Sequence, residues 1–171
     1  MSKANPDEQH IKGSICMKIS TRSRYATRAL VTIALNSENG PVALKKIAEI
    51  DCISIMYLQK LATPLISGGI LNATRGMNGG VWLAKPAGEI KLSEVVNLLE
   101  GSVAPVDCLQ EHSDCQRLSY CVAREIWLEL KQAMDDVLEN TTIGDLVEKQ
   151  RRNDTAHKDV LNKKDRNKEH S

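Results

Sequence analysis

The segment ALKKIAEIDCISIMYLQKLATPLISGG, residues 43–69, decides the fold. Its first part has apolar residues at helical spacing, and after a three-residue turn Ser54 offers an N-cap to a second helix. Two short helices joined by such a turn are typical of a helix-turn-helix motif. Pro64 removes one hydrogen bond from the second helix. We therefore expect this helix either to bend at Pro64 or to end before residues 65–68.

A predicted β-hairpin follows at once, in ILNATRGMNGGVWLAKP, residues 70–86. Ile70–Thr74 and Val81–Leu83 have the composition of strands, and the glycine-rich stretch 75–80 between them predicts a loop. A hairpin directly after a helix-turn-helix predicts a winged helix. Before the motif, STRSRYATRALVTIALNS, residues 20–37, has apolar residues at helical spacing and predicts a first helix.

The composition is that of an ordinary globular protein with an aliphatic core. The 171 residues are 42% hydrophobic and 26% charged, with no Phe, two Trp and three Tyr. So few aromatic residues argue against a stacking surface for single-stranded nucleic acid. No apolar run approaches the length of a membrane span, and the polar N-terminus lacks the apolar core of a signal peptide. We therefore expect a cytoplasmic protein that does not contact membranes.

Charge divides the chain into basic and acidic parts. Residues 17–91 hold ten Lys/Arg and four Asp/Glu, a net of +6, whereas residues 92–148 hold three and twelve, a net of −9. Residues 149–171 return to +4, with eight and four. The basic N-terminal part is the one that can meet a polyanion such as DNA.

These patterns predict a mainly α-helical fold with a small β-hairpin wing, organised in four segments. Residues 1–16 are polar and aperiodic, so we expect a disordered extension, with Met17 as a candidate natural start. Residues 17–92 are expected to form the winged helix-turn-helix domain. The prediction continues with a cluster-binding loop and dimerisation helix in residues 93–148, and a disordered charged tail in residues 149–171.

A long helix from about Arg117 to Asn140 has an apolar stripe that a small winged helix alone cannot cover. A matching helix from a second subunit covers such a stripe in a symmetric dimer, so we expect a homodimer. Packing within one chain is the alternative, but few other elements remain to supply it. The stripe consists of Ile126, Trp127, Leu130, Met134, Val137 and Leu138.

The winged helix predicts contact with double-stranded DNA, because the second helix of the motif enters the major groove near its N-terminus. The residues available there are Ser54, Met56, Tyr57, Gln59 and Lys60. Tyr57 and Gln59 suit base edges or phosphates, with phosphate contact an equal alternative for Tyr57, and Lys60 suits a phosphate or a guanine. Arg75 at the wing tip suits a minor groove. The expected phosphate contacts, each replaceable, are Arg22, Arg24, Arg28, Lys45 and Lys46.

Three cysteines lie close together in DCLQEHSDCQRLSYCVAREIW, residues 107–127. Cys108, Cys115 and Cys121 have the spacing C-x6-C-x5-C, and the five cysteines of the whole chain are an odd number that does not suit a disulfide framework. Three thiolates suit an iron–sulfur cluster, whereas a structural zinc ion usually has four ligands. The spacing alone does not separate iron–sulfur from zinc.

The sequence resembles the IscR/NsrR/RirA-like family of iron–sulfur cluster-sensing winged-helix regulators, and most closely its IscR-like members. The resemblance covers residues 17–150 and lies in MKISTRSRYATRAL, ISIMYLQKL, TRGMNGGVWLAKP, the three-cysteine loop and TIGDL. It implies a homodimer on palindromic promoter DNA that senses a cluster, [2Fe–2S] in preference to [4Fe–4S]. It places the cluster ligands at Cys108, Cys115 and Cys121, and the DNA contacts at Ser54, Tyr57, Gln59 and Arg75.

Three departures from the family pattern leave the fourth ligand open. The first cysteine gap is x6, where IscR-like members have x5. Arg124 stands where those members have a histidine ligand, and Arg24 stands where NsrR-like members have an aspartate of the partner subunit. The candidate fourth ligand is His112, inside the loop, followed by Asp107, Glu111 and Asp114.

We therefore expect a DNA-binding transcriptional regulator, acting as a repressor, that senses iron–sulfur cluster, iron, redox or nitric-oxide status. One alternative is a cluster-free regulator of the same fold that responds to thiol oxidation or to a partner protein. Another is a zinc-stabilised adaptor whose acidic part binds a protein. The sequence shows no nucleophile–base pair, paired carboxylates or phosphate-binding loop, which argues against an enzyme.

Overall fold

The computed structural model describes residues 20–37, 40–76, 79–101, 103–110 and 115–168, and side chains as far as residue 158. Two short 3-10 turns, Ala87–Glu89 and Asp107–Leu109, accompany the main elements. The predicted class, mainly helical with a small hairpin wing, is confirmed. The elements in chain order are α1 (Thr21–Asn36), α2 (Leu44–Asp51), α3 (Ile55–Ser67), β1 (Leu71–Thr74), β2 (Gly80–Leu83), α4 (Leu92–Glu100), α5 (Val122–Glu139) and α6 (Ile143–Lys168).

The helix-turn-helix forms where the sequence predicts it, because its helix ends are capped locally. The Ser20 hydroxyl accepts a hydrogen bond from the Arg22 N–H (3.0 Å) at the start of α1, and the Ser54 hydroxyl accepts one from the Tyr57 N–H (3.3 Å) at the start of α3. Cys52 ends α2 in the left-handed conformation, with φ of 53°. Helix α3 continues past Pro64 to Ser67, so the early end considered above does not occur.

The wing is an antiparallel hairpin anchored to the strand-like segment that precedes α2. Leu71 lies opposite Leu83, and Thr74 lies opposite Gly80. Val42 exchanges two backbone hydrogen bonds with Val81, each 2.9 Å long. A glycine is needed at position 80, because a Cβ there would lie 2.4 Å from the carbonyl oxygen of Val42.

One aliphatic core joins the winged helix to elements that follow it in the chain. Val95 and Leu99 of α4, with Ile143 and Val147 of α6, belong to the same cluster as the buried residues of α1 and α3. These four residues come from the segment 93–148 that was predicted to serve the cluster loop and dimerisation. Helix α4 begins at Leu92, and Ser93 is buried within its first turn.

Helix α5 packs loosely on the rest of the described chain. It begins at Val122, five residues later than predicted, and none of its residues is buried. An ion pair between Lys91 Nζ and Glu139 Oε2 (2.8 Å) fastens its C-terminal end near the start of α4. The side chains of Val122, Ile126 and Val137 are 75%, 59% and 63% exposed. Among the described residues, Ile126, Trp127 and Val137 of the apolar stripe are exposed, whereas Leu130, Met134 and Leu138 are half-buried, so the stripe is only partly covered.

Helix α6 corrects the predicted disordered tail, since it continues beyond Glu148 to Lys168. Polar pairs one turn apart support it, with Arg151 Nη1 3.2 Å from Glu148 Oε1 and Gln150 Nε2 2.8 Å from Asp154 Oδ1. The tail lacks apolar periodicity, on which the prediction of disorder rested, but it is rich in good helix formers. No described helix is both long and apolar enough to cross a bilayer. The predicted extension, residues 1–16, lies outside the described residues.

Candidate DNA interface and cysteine loop

The DNA-contact residues predicted on α3 lie mainly on its exposed face. Ser54, Gln59 and Lys60 are exposed, whereas Leu58 and Leu61 of the same helix are buried. Two apolar side chains lie beside them: Met56, one of the predicted residues, is 70% exposed, and Ile55, which was not predicted, is 42% exposed. Apolar groups of this kind suit the methyl group of thymine. The N-terminal half of α3 thus exposes both polar and apolar side chains, a combination that suits a major groove.

Tyr57 belongs to an aromatic cluster that links α3 to α1. Its half-buried ring meets the ring of Tyr25 edge-on, with centroids 6.0 Å apart and an angle of 86° between the planes. The guanidinium carbons of Arg24 and Arg28 lie 5.0 Å and 5.8 Å from the centre of the Tyr25 ring. Tyr57 therefore packs between helices, and its hydroxyl is the group that can bond to a phosphate or a base.

The wing and α3 face each other across a groove of about 470 Å³. Gln59 and Thr63 line the groove on the helix side, and Thr74 and Arg75 line it on the wing side. Arg75 is exposed where β1 ends, and residues 77–78 of the wing tip lie outside the described residues. Two predicted contacts that are far apart in sequence, Gln59 and Arg75, therefore share one surface.

The basic residues predicted to contact phosphates are exposed, but one of them has a second role. The Arg28 side chain is half exposed, and its Nη2 donates to the carbonyl oxygen of Asp51 (2.8 Å) and lies 3.8 Å from Asp51 Oδ1. Arg28 therefore fastens α1 to the end of α2, and its contact with phosphate stays a prediction. The others lie on α1 and α2: Arg22, Arg24, Lys45 and Lys46.

Asp51 is a buried carboxylate at the end of α2, inside the helix-turn-helix. Its Oδ1 accepts a hydrogen bond from the Thr32 hydroxyl (3.1 Å), while Oδ2 is buried without a hydrogen-bond partner among the described residues. Burial raises the pKa of Asp51, although the Thr32 hydrogen bond and the charge of Arg28 oppose the rise. The aspartate thus holds α1 against α2 at some electrostatic cost.

Glu100, the last residue of α4, forms a second polar cluster that the sequence analysis did not identify. Its Oε1 accepts hydrogen bonds from the hydroxyls of Ser20 and Ser23, the latter 2.6 Å long, and from the Ser23 N–H (3.3 Å). Burial opposes ionisation of Glu100, but these hydrogen bonds and the charge of Arg22 outweigh it and lower its pKa. Ser23 and Ser20 lie 77 and 80 residues from Glu100 in the sequence, so no local pattern could have revealed the contact.

The three clustered cysteines all precede helix α5 in the sequence. Cys108 is half-buried in the 3-10 turn Asp107–Leu109, Cys115 is exposed, and half-buried Cys121 immediately precedes α5. Of the candidate fourth ligands, Asp107 is exposed. The other three, His112, Glu111 and Asp114, lie outside the described residues.

The described parts of the cysteine loop do not form an assembled metal centre. They contain no group of three His, Cys, Asp or Glu side chains arranged to hold a metal ion. The donor set nevertheless has the right chemistry, since three thiols in one loop match the ligands that iron–sulfur clusters take. Arg124, one turn into α5, has a buried Nε without a hydrogen-bond partner among the described residues. Ligation by the three cysteines stays a prediction.

A recognition helix, a hairpin wing and basic flanking residues define this chain as a winged-helix protein of the DNA-binding class. The Rrf2 family model, described as an iron-dependent transcriptional regulator, matches residues 19–149. The chain belongs to the Rrf2 family of transcriptional regulators. The predicted resemblance to this family of regulators is confirmed.

Three similar proteins cover most of the chain. Protein rrf2 of Nitratidesulfovibrio vulgaris is 42% identical over 131 residues, which is 77% of this chain and 87% of that protein. The HTH-type transcriptional regulator IscR of Klebsiella pneumoniae is 37% identical over 134 residues, 78% of this chain and 82% of the relative. The solved structure of CymR, the global cysteine regulator of B. subtilis, superposes with a TM-score of 0.64 at 32% identity, covering 77% of this chain and 96% of CymR.

Proposed function

We propose that this chain is a homodimeric repressor that binds operator DNA and senses iron–sulfur cluster, iron, redox or nitric-oxide status through a cluster on Cys108, Cys115 and Cys121. The observation that carries the proposal is the place of the cysteines in the fold. Their loop joins α4, which packs against α1, to α5, whose apolar stripe is partly exposed. The family description as iron-dependent and the similarity to IscR support the same function. The regulator acts in the cytoplasm and is not an enzyme.

The partly exposed stripe of α5 supports the dimer. Ile126 and Val137, about three turns apart, are 59% and 63% exposed, and Trp127 between them is 39% exposed. A contiguous apolar surface on a regulator marks a protein interface. The same helix of a second copy offers a self-complementary surface, as twofold symmetry requires. Two recognition helices then meet two half-sites of a palindrome on one face of DNA.

The three cysteines supply thiolate ligands for the proposed cluster, [2Fe–2S] in preference to [4Fe–4S]. Once bound, the cluster supplies a rigid link across the loop between α4 and α5. Arg124 cannot serve as the fourth ligand in the place of a histidine, because a guanidinium group stays protonated. His112 is the proposed fourth ligand. A cluster held by three thiolates and one histidine, rather than by four thiolates, suits a sensor that loses or converts it.

A second candidate function is a cluster-free regulator of the same fold that responds to thiol oxidation. The similarity to CymR, a cysteine regulator, favours this candidate. The exposure of Cys115 also supports it, since an accessible thiol is open to oxidants. In this case the two states of the loop differ in thiol oxidation rather than in cluster content.

The visible absorption spectrum of protein purified without oxygen, with iron and sulfide assayed on the same sample, separates the two candidates. The cluster function predicts a brown protein with matched iron and sulfide that loses its colour in Cys115→Ala. Cys52→Ala, at an exposed cysteine of the helix-turn-helix, is the matched control and should keep the colour. A colourless protein that resists reconstitution contradicts the cluster and favours thiol chemistry.

A further inference from the structure

The contact between Glu100 and the start of α1 lies between the two functional regions of the molecule. Glu100 is the last residue of α4, and Gly101 then turns the chain, at φ of +76°, into the loop that holds Cys108. On the other side, Ser20 and Ser23 belong to the cap and first turn of α1. The Glu100 carboxylate therefore contacts the start of α1, a helix of the winged helix-turn-helix, at the point where the cysteine loop begins.

The arrangement around Glu100 is specific rather than a chance surface pair. One oxygen, Oε1, receives three hydrogen bonds, two from hydroxyls and one from a backbone N–H. Ser23 is 1% exposed, so its hydroxyl depends on this partner. Hydrogen bonds to an ionised acceptor are stronger than those between neutral groups. The first turn of α1 is thus held from outside its own helix.

The first turn of α1 carries side chains that reach the DNA-contact surface. Arg22 and Arg24 are exposed there. Arg24 stacks on Tyr25, and the Tyr25 ring packs against Tyr57 in the first turn of α3. A shift of the α1 start relative to α4 therefore changes both the phosphate contacts of α1 and the support of the recognition helix.

We infer that Glu100 is a positioning residue for DNA binding, which fixes the first turn of α1 and transmits the state of the cysteine loop to the DNA-contact helices. The inference deepens the proposed function and rests on it for the two states of the loop. A ligand or oxidation event biases such an element only if the element differs between the two states. Glu100 is the described residue of α4 that joins the loop directly to α1 through side-chain hydrogen bonds.

The test compares operator affinity in both loop states, cluster-loaded and stripped, for the wild type, Glu100→Ala and Glu100→Gln. Glu94→Gln is the matched control, because Glu94 lies on the same helix but pairs with Lys85 (2.7 Å) and not with α1. We expect Glu100→Ala to weaken operator binding about tenfold, as loss of a charge-assisted contact predicts. For Glu100→Ala, the ratio of the operator affinities of the cluster-loaded and stripped forms should fall towards one. Glu100→Gln, which keeps an accepting oxygen, should be intermediate, and Glu94→Gln should match the wild type.

Amide hydrogen exchange and one further variant keep the inference falsifiable. Exchange in residues 20–26 should become faster in Glu100→Ala while α2 and α3 stay protected. Ser23→Ala should reproduce the effects from the other side of the contact. Unchanged affinity and exchange, or a loss that is equal in both loop states, would overturn the inference. If cluster-loaded and stripped wild type bind the operator equally, the loop does not control DNA binding and Glu100 has no signal to transmit. The hydrogen exchange and operator affinity of Glu100→Ala then still decide whether the residue positions α1.

Discussion

Gly80 shows how closely the wing is fitted to the helix-turn-helix. Replacement by Ala places a Cβ 2.4 Å from the Val42 carbonyl oxygen, which belongs to backbone and cannot rotate away. We expect Gly80→Ala to lower the free energy of unfolding by roughly 1–3 kcal/mol in urea denaturation, the usual cost of overpacking. Gly88→Ala is the control, since a Cβ there meets nothing within 4 Å. Equal stability of the two variants would contradict the described anchoring of the wing.

Asp51 gives the protein a pH-dependent stability with a defined sign. Because burial raises its pKa, folding favours the protonated acid. Its contribution is therefore fully present below the unfolded pKa and is lost as pH rises through the higher folded pKa. In urea titrations between about pH 4 and pH 7, Asp51→Asn should gain stability relative to the wild type as pH rises. A difference that stays constant or runs the other way would show that Arg28 and Thr32 fully compensate the buried charge.

Helices α2 and α3 are expected to contribute to DNA binding in different ways. Gln59 lines the groove beside the wing, so Gln59→Ala should cost about 1–3 kcal/mol and reduce discrimination at one base position. Lys46 is exposed on α2, so Lys46→Ala should weaken all sequences alike and lower the salt slope by about one. Fluorescence anisotropy on matched and mismatched duplexes at several salt concentrations measures both. The same behaviour in the two variants would contradict the assignment of α3 as the recognition helix.

The proposed dimer depends on one surface, the apolar stripe of α5, so the oligomeric state of α5 variants tests it. Ile126 is an exposed residue at the N-terminal end of the stripe, and burying a charge there without a partner is costly. We expect Ile126→Glu to weaken the dimer on the order of a hundredfold, as measured by sedimentation equilibrium. Gln132→Glu adds the same charge on the opposite face of α5 and should leave the dimer intact. A dimer that survives Ile126→Glu would mean that another surface joins the copies.

The elements that the sequence predicted well are those with local signals at both ends. Helices α1 to α3 and the hairpin agree with the predictions within about one residue. Their signals are local, because Ser20 and Ser54 cap the helix starts that directly follow them, and the glycines of the wing form the turn between its two strands. The start of α5 was placed five residues early, since turns within residues 115–120 precede it. Helix α6 was missed beyond Glu148, because a helix that is polar all round has no apolar stripe to reveal it.

Individual residues of the candidate site were predictable where they belong to a single motif, whereas contacts between elements were not. Gln59 on α3 and Arg75 on the wing followed from their motifs, and the structure brings them to one groove. The Glu100–Ser23 and Tyr25–Tyr57 contacts join residues distant in sequence, so they depend on how whole helices pack. Cluster ligation depends on a loop of which residues 111–114 lie outside the described part, and it stays a prediction.

For the molecule as a whole, we propose that one loop couples two regions of opposite charge. Residues 17–91 carry the basic DNA-contact surface, and residues 92–148, with a net charge of −9, carry the cysteines and the partly exposed helix α5. The shared core keeps α4 and the start of α6 attached to the DNA-binding body. Under the proposed function, a change in the loop alters how α5, and with it the second copy of the proposed dimer, is placed relative to the winged helix.

The most direct test measures operator affinity before and after the cysteine loop changes state. A duplex selected from random DNA by the loaded protein is titrated by fluorescence anisotropy with loaded and stripped wild type, and with Cys108→Ala/Cys115→Ala. We predict that the two wild-type affinities differ by at least about tenfold, the size of ordinary allosteric coupling, and that the double variant shows one affinity under both treatments. Equal affinities for loaded and stripped wild type, or a double variant that still responds to the treatment, would contradict control of DNA binding by this loop.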